Sequence, residues 1–245
     1  MDDLALPPEV AHALAGFVDA ARDALGEDLV SAILFGSAAE GRLRATSDVN
    51  VVLVLAAFDA PRVDRLRESL RLARSTLGLE AMLILESELD DAAEAFAVKF
   101  ADIVARHRVL AGRDVVATLR PPPGALRQRL RQILLNFVLR AREQYALASL
   151  REEQLAVVVA DCAGPLRSAA AALLLLEGRP ALPPREALQA VAAGIGPGKW
   201  EAALALMSRA REERRLQPGE AARALLSLIG LGSAMRAHAL RIGAE

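Results

Sequence analysis

Cysteine is almost missing from this chain: Cys162 is the one cysteine in 245 residues. An intrachain disulfide is therefore excluded, and Cys162 reads as a small core residue. Histidine is nearly as scarce, and His12, His107 and His238 stand far apart with no ligand spacing, which removes the sequence pattern of a zinc site. Excess charge of one sign is absent too, since 30 Lys+Arg face 31 Asp+Glu for a formal net charge of −1. Broad, nonspecific nucleic-acid binding needs a positive surplus and is not expected, although a local basic patch is compatible with this balance. Only Lys99 and Lys199 are lysines; the remaining basic residues are arginines, which together with abundant alanine fits high-GC coding. The start Met1-Asp-Asp-Leu lacks the positive and apolar regions of a signal peptide. Apolar runs such as Val51–Phe58 and Ala169–Leu176 fall short of the ~20 residues that span a bilayer. A cytoplasmic protein with no membrane partner is the resulting expectation.

What is present is apolar: 53% of residues are hydrophobic against 25% charged. That proportion supports a real core, and the length suits one large or two modest domains. The clearest break is Pro121-Pro122-Pro123-Gly124, which disfavours both helix and central strand. The expected domains are residues 1–120 and 121–245. Before the break the pattern reads helix from Pro7 to Gly26, strand Leu29–Phe35, strand Val49–Ala56 and helix Pro61–Gly78. Strand Leu79–Leu85, a helix capped by Ser87, helix Phe96–His107 and a short edge strand Arg108–Ala111 follow. The link between the first two strands is too short for a crossover helix, so they are expected to pair antiparallel in a mixed sheet. After the break everything reads as helix, near 124–150, 152–178, 184–194, 198–215 and 218–242, and an antiparallel bundle is the natural packing. The fold class is thus α+β with a mixed β-sheet, followed by an all-α helical bundle.

One stretch carries chemistry. The strand ending at Phe35 runs into Gly36-Ser37, Gly41 follows, and Ser47-Asp48-Val-Asn50 opens the next strand. Residues two apart on a strand share a face, so Asp48 and Asn50 project together and can hold a divalent cation through side-chain oxygens. Gly36 permits a close turn, and Ser37 can offer its hydroxyl and backbone N–H to a phosphate. A helix starting just after Ser37 would add its positive dipole end. Phosphoryl-type transfer is mostly positioning and electrostatic stabilisation, which such parts can supply. Each residue also has a plainer reading: Gly36-Ser37 as a structural turn, Asp48 as an N-cap. Arg106-His107-Arg108 reads as a solvated helix end, with proximity to a phosphate as the minority reading. Gly194-Ile-Gly196-Pro-Gly198-Lys199-Trp200 imitates a P-loop but lacks its leading glycine and the hydroxyl after the lysine.

Phe35-Gly36-Ser37, Gly41 and Ser47-Asp48-x-Asn50 resemble the signature of the nucleotidyltransferase superfamily, the fold of DNA polymerase beta, kanamycin nucleotidyltransferase and the minimal nucleotidyltransferases. The resemblance covers about residues 28–112 and implies a mixed-sheet nucleotidyltransferase fold. It implies transfer of a nucleoside monophosphate from a nucleoside triphosphate (NTP) to a hydroxyl with Mg²⁺, the acceptor being a small molecule or a protein. Gly36, Ser37 and Ser47 would bind the nucleotide, and Asp48 and Asn50 would meet the metal. The third catalytic group would be Glu80, with Glu86 as the weaker candidate. Where the family pattern has a second carboxylate, this chain has Asn50. Replacing a carboxylate by a neutral oxygen ligand removes a negative charge and a possible base, at a cost of about 3 kcal/mol, roughly a hundredfold in rate. Two metals become doubtful while one remains possible. The alternative is a catalytically degenerate nucleotide-binding or protein-interaction module, for example an antitoxin-like partner, and a homodimer stays open.

Overall fold

Four apolar segments of the N-terminal part pair into one sheet in the order β3-β2-β1-β4. They are β1 (Leu29–Phe35), β2 (Val49–Leu55), β3 (Leu79–Leu85) and β4 (His107–Gly112). In this computed structural model the described residues are 6–43, 48–148, 150–195 and 200–242. Ser47 and the Gly196–Lys199 part of the P-loop-like run lie outside them. β1 pairs antiparallel with both β2 and β4, and β2 pairs parallel with β3, so the sheet is mixed as its short β1–β2 link demands.

The described chain divides into two compact units, residues 1–95 with 99–121 and residues 96–98 with 122–245. In the first, strand alternation sends two sets of side chains to two cores. Ala32, Leu34, Val49, Val51, Leu53 and Leu55 pack with Leu14, Phe17, Val18 and Leu66, which come from α1 (Pro8–Leu25) and α2 (Ala60–Leu77). Ile33, Phe35, Val52, Val54 and Ile84 pack on the opposite face with Leu89, Ala93, Phe100 and Ile103, from α3 (Leu89–Ala95) and α4 (Ala97–Ala105). Because β2 is covered on both faces, it is a continuous apolar run from Val51 to Leu55 rather than an alternating one. Phe100 and Ile103 are fully buried, each contributing about 1.5–3 kcal/mol.

Local signals set the helix ends. Asp59 Oδ1 accepts a hydrogen bond from the Arg62 N–H at 2.8 Å and caps α2, Pro61 sits in its first turn, and Gly78 closes it in the left-handed conformation. Ser87 does not cap the next helix. It lies in a 3-10 turn, where the Glu88 carboxylate accepts from the Leu85 N–H at 3.0 Å, and α3 starts only at Leu89.

The second unit is helical: α5 (Pro123–Ala148), α6 (Glu152–Asp161), α7 (Ala163–Leu176), α8 (Pro184–Ile195), α9 (Glu201–Glu213) and α10 (Glu220–Arg241). The single helix expected over 152–178 is two, joined at Cys162. Pro165 has no N–H to give the Asp161 carbonyl, and its ring crowds the preceding turn, so the helix breaks there. Cys162 is buried at that joint. Burial, reinforced by the Asp161 charge, pushes its thiol up to about 12. Within Glu152–Leu176 an 18-residue stretch is apolar enough by composition to cross a membrane, with mean hydropathy 1.5, yet 61% of that stretch is buried inside the protein.

Candidate active site

Register pairing brings the polar exceptions to one end of the sheet. Phe35 faces Asn50 across β1 and β2, Asn50 faces Glu80 across β2 and β3, and Phe35 faces His107 across β1 and β4. Paired residues share a face, so Glu80, Asn50, Phe35 and His107 form a row across all four strands. It lies on the face that carries Val52, Val54 and Ile84 further along, and it begins where those apolar positions stop. Asp48 directly precedes β2, is exposed, and by strand alternation falls on the side of Asn50. Gly36 and Ser37 continue β1 beyond Phe35 at this same end. The sequence-derived set, Ser47 apart, is therefore gathered by topology.

The details differ from expectation in several ways. No helix starts after Ser37. Residues 36–41 form consecutive turns, with Gly36 at φ 76°, the Arg42 N–H donating to the Ser37 carbonyl at 2.9 Å and the Gly41 N–H to the Ala38 carbonyl at 3.1 Å. Phosphate binding at this turn would rest on local N–H groups and the Ser37 hydroxyl rather than on a helix dipole. The Asn50 side-chain amide donates to the Asp48 carbonyl at 3.3 Å. The Asp48 carboxylate leans toward β3: a Cβ added to Gly78 would stand 3.3 Å from Asp48 Oδ1. Gly78, at φ 59°, thus both turns the chain into β3 and leaves room for that carboxylate. Glu80 is exposed and meets Arg74 Nη2 at 3.5 Å. Glu86, the weaker third candidate, is ion-paired with Arg113.

Arg106 is not a solvated helix end. It is 16% exposed, and its guanidinium bonds Asp102 through Nε at 2.8 Å and Glu40 through Nη1 at 2.9 Å. Its carbonyl accepts the Gly36 N–H at 3.2 Å. Because Glu40 belongs to the Gly36–Gly41 turn, Arg106 fixes that turn to the sheet by both backbone and side chain. His107 is also well covered; its Nε2 lies 3.1 Å from Asp114 Oδ2. Burial raises the Asp114 pKa, but the His107 hydrogen bond, the Ala117 and Val116 N–H groups and the imidazole charge outweigh it and hold it below 3.8.

Lys99 is the residue that sequence reasoning passed over. Its Nζ stands 5.7 Å from the centroid of the Phe35 ring, in the middle of the row. Nothing in helix periodicity marks it, and the one available signal was its rarity in an arginine-rich chain.

Among the described residues no three His, Cys, Asp or Glu side chains cluster to hold a metal. The donor set at this end is smaller: one carboxylate, Asp48, and one amide, Asn50. Mg²⁺ is commonly held by one or two carboxylates together with substrate phosphates and water, so these residues suit one such ion brought in with a nucleotide, not an all-protein cage.

The architecture is α+β, a small mixed sheet with the Gly-Ser turn and the Asp-x-Asn strand start at one end, followed in sequence by a helical region. The chain is similar in fold to spectinomycin adenyltransferase AAD(9) from Enterococcus faecialis, whose crystal structure holds ATP and spectinomycin. The TM-score is 0.65 at 14% sequence identity, over 92% of this chain and 98% of that one. No protein-family model and no curated protein sequence matches the chain.

Proposed function

We propose that this chain is a nucleotidyltransferase that moves a nucleoside monophosphate from an NTP to a hydroxyl of a small-molecule acceptor. The observation that carries this reading is the row at the sheet end, where Asn50 and Glu80 stand in register beside the Gly36-Ser37 turn and Asp48. The likeness to an adenyltransferase crystallised with ATP and spectinomycin supports ATP as donor and a polyhydroxylated small molecule as acceptor.

The chemistry follows from the parts. The Gly36-Ser37 turn, braced by Arg106, binds the phosphates. Asp48 and Asn50 would hold one Mg²⁺, which supplies positive charge against the polyphosphate. Glu80, exposed on the same face, accepts the proton of the attacking hydroxyl. The acceptor oxygen forms a bond to the α-phosphorus, the bond to the bridging oxygen breaks, and pyrophosphate leaves with that electron pair. Positioning and electrostatics account for most of such a rate enhancement. The division into a transfer domain of residues 1–120 and a helical domain of residues 121–245 belongs to this reading, as does a cytoplasmic setting where NTP is supplied.

A second reading, nucleotide binding without turnover, is favoured by Asn50 in place of a carboxylate. Incubation with α-labelled NTPs, Mg²⁺ and a panel of aminocyclitol and aminoglycoside acceptors separates the two. Label on an acceptor that is lost in Asp48→Ala supports transfer. Saturable NTP binding with no labelled product supports the second reading. Neither binding nor transfer overturns both.

A further inference from the structure

Asn50 leaves a shortage of charge at this site, and the structure places a cation over its cross-strand neighbour, Phe35. A triphosphate brings about four negative charges, and a second carboxylate would normally help retain a second divalent ion to offset them. With Asn50 in that place the site presents Asp48 alone at the start of β2, while Glu80 is engaged with Arg74. Lys99, on α4, stands over the neighbouring position of the row, Phe35. Its ammonium sits over Phe35, and Phe35 is the direct cross-strand partner of Asn50. Adjacent strands lie ~4.8 Å apart, so the space above Phe35 and Asn50 is shared. Lys99 is exposed, and among the described residues no carboxylate pairs with it. Its base is rigid, because Phe100, the next residue, is fully buried under the sheet. Among the described residues its head is held by the ring quadrupole, a contact that orients the ammonium without neutralising it.

We propose that Lys99 is a phosphate-binding residue of this site: its ammonium, held over Phe35 next to Asn50, contacts the NTP phosphates and supplies part of the charge that a second metal ion would bring. This rests on the nucleotidyl-transfer reading and adds to it a metal-sparing mode of binding, with one cation from the protein and at most one from solution.

The test is calorimetric titration of ATP, with adenosine as the phosphate-free control, into the full chain in Mg²⁺ and in EDTA. Lys99→Met is expected to weaken ATP about tenfold or more in both buffers, the size of a lost hydrogen bond to a charged group. Lys99→Arg is expected to stay within about threefold of the parent, since the charge is retained. Adenosine affinity and the melting temperature of Lys99→Met should not move, because the side chain is exposed. In an Asn50→Asp background with Mg²⁺ the Lys99→Met penalty should shrink, as a second ion takes over the charge. ATP binding by Lys99→Met equal to the parent's would overturn the proposal and leave the transfer reading standing. An equal loss of adenosine and ATP would overturn it in favour of a structural role. No ATP binding by the parent in either buffer would overturn both.

Discussion

Restoring the second carboxylate, Asn50→Asp, probes the site from the metal side. The Asn50 amide donates to the Asp48 carbonyl. Aspartate cannot donate that bond, and its loss costs about 1 kcal/mol. The new carboxylate would stand two residues from Asp48 and in register with Glu80, both exposed acids on one face. Like charges ~4 Å apart in water repel by about 1 kcal/mol. In EDTA the variant should therefore be less stable than the parent by about 1–2 kcal/mol, a fall in Tm of about 2–8 °C for a chain of this size. Millimolar Mg²⁺ or Mn²⁺ should reverse the loss in the variant and raise the parent much less, because only the variant offers two carboxylates at strand spacing to one ion. If transfer is limited by the missing charge, the variant should also gain up to about a hundredfold in rate, the equivalent of about 3 kcal/mol. Thermal melts in EDTA and in Mg²⁺, followed by labelled-NTP transfer, read both effects. Identical melts for variant and parent in EDTA, with no extra rise in metal, would show that positions 48 and 50 do not converge on a common cation.

Three further outcomes follow from named contacts. Arg106→Met should destabilise the protein by about 2 kcal/mol in urea melts, since it strands the partly covered Asp102 and Glu40, and should raise the KM for NTP more than it lowers kcat. Asp114→Asn should cost about 0.5 kcal/mol at pH 7, the order of a partly exposed side-chain hydrogen bond to His107. The folded pKa of Asp114 lies below 3.8, so the wild-type advantage is present above that value and should fade as pH drops below it, which urea melts from pH 7 to 2.5 would follow. Cys162, with its thiol raised to about 12, should react slowly with an aromatic disulfide reagent at pH 8 in the native protein and at once in urea; rapid native labelling would contradict its burial.

The sheet was legible in the sequence because its strands are apolar runs of strand length bounded by breakers. Leu29–Phe35 and Leu79–Leu85 begin and end where those runs do, and β2 stops one residue short of the expected Ala56. The antiparallel pairing of β1 with β2 was legible from the brevity of their link. The gathering of Gly36, Ser37, Asp48 and Asn50 at one sheet end was legible from motif order and strand period, whereas Glu80 was expected there only from the family resemblance. Other features needed three dimensions. The bond from Arg106 to Glu40 joins residues 66 apart and leaves no periodic trace. Lys99 meets the Phe35 ring from a different element, far away in sequence, and no local period marks that contact. The break at Cys162 was hidden by alanines and leucines that read as helix on both sides of Pro165. The stretch after Ser37, where a helix start would have added its dipole, is a run of turns, and Gly36 and Gly41 both adopt positive φ within six residues.

The central claim is that the ends of β1 and β2 bind a cation-associated polyphosphate. Its most direct measurement is a crystal structure with a nonhydrolysable ATP analogue and Mn²⁺, recorded at the manganese absorption edge. The expected result is an anomalous peak coordinated by Asp48 and Asn50, phosphate oxygens against the Gly36-Ser37 turn, and the Lys99 ammonium within hydrogen-bond distance of a phosphate. A triphosphate bound elsewhere, or bound at the turn with Asp48 and Asn50 touching neither metal nor phosphate, would contradict it.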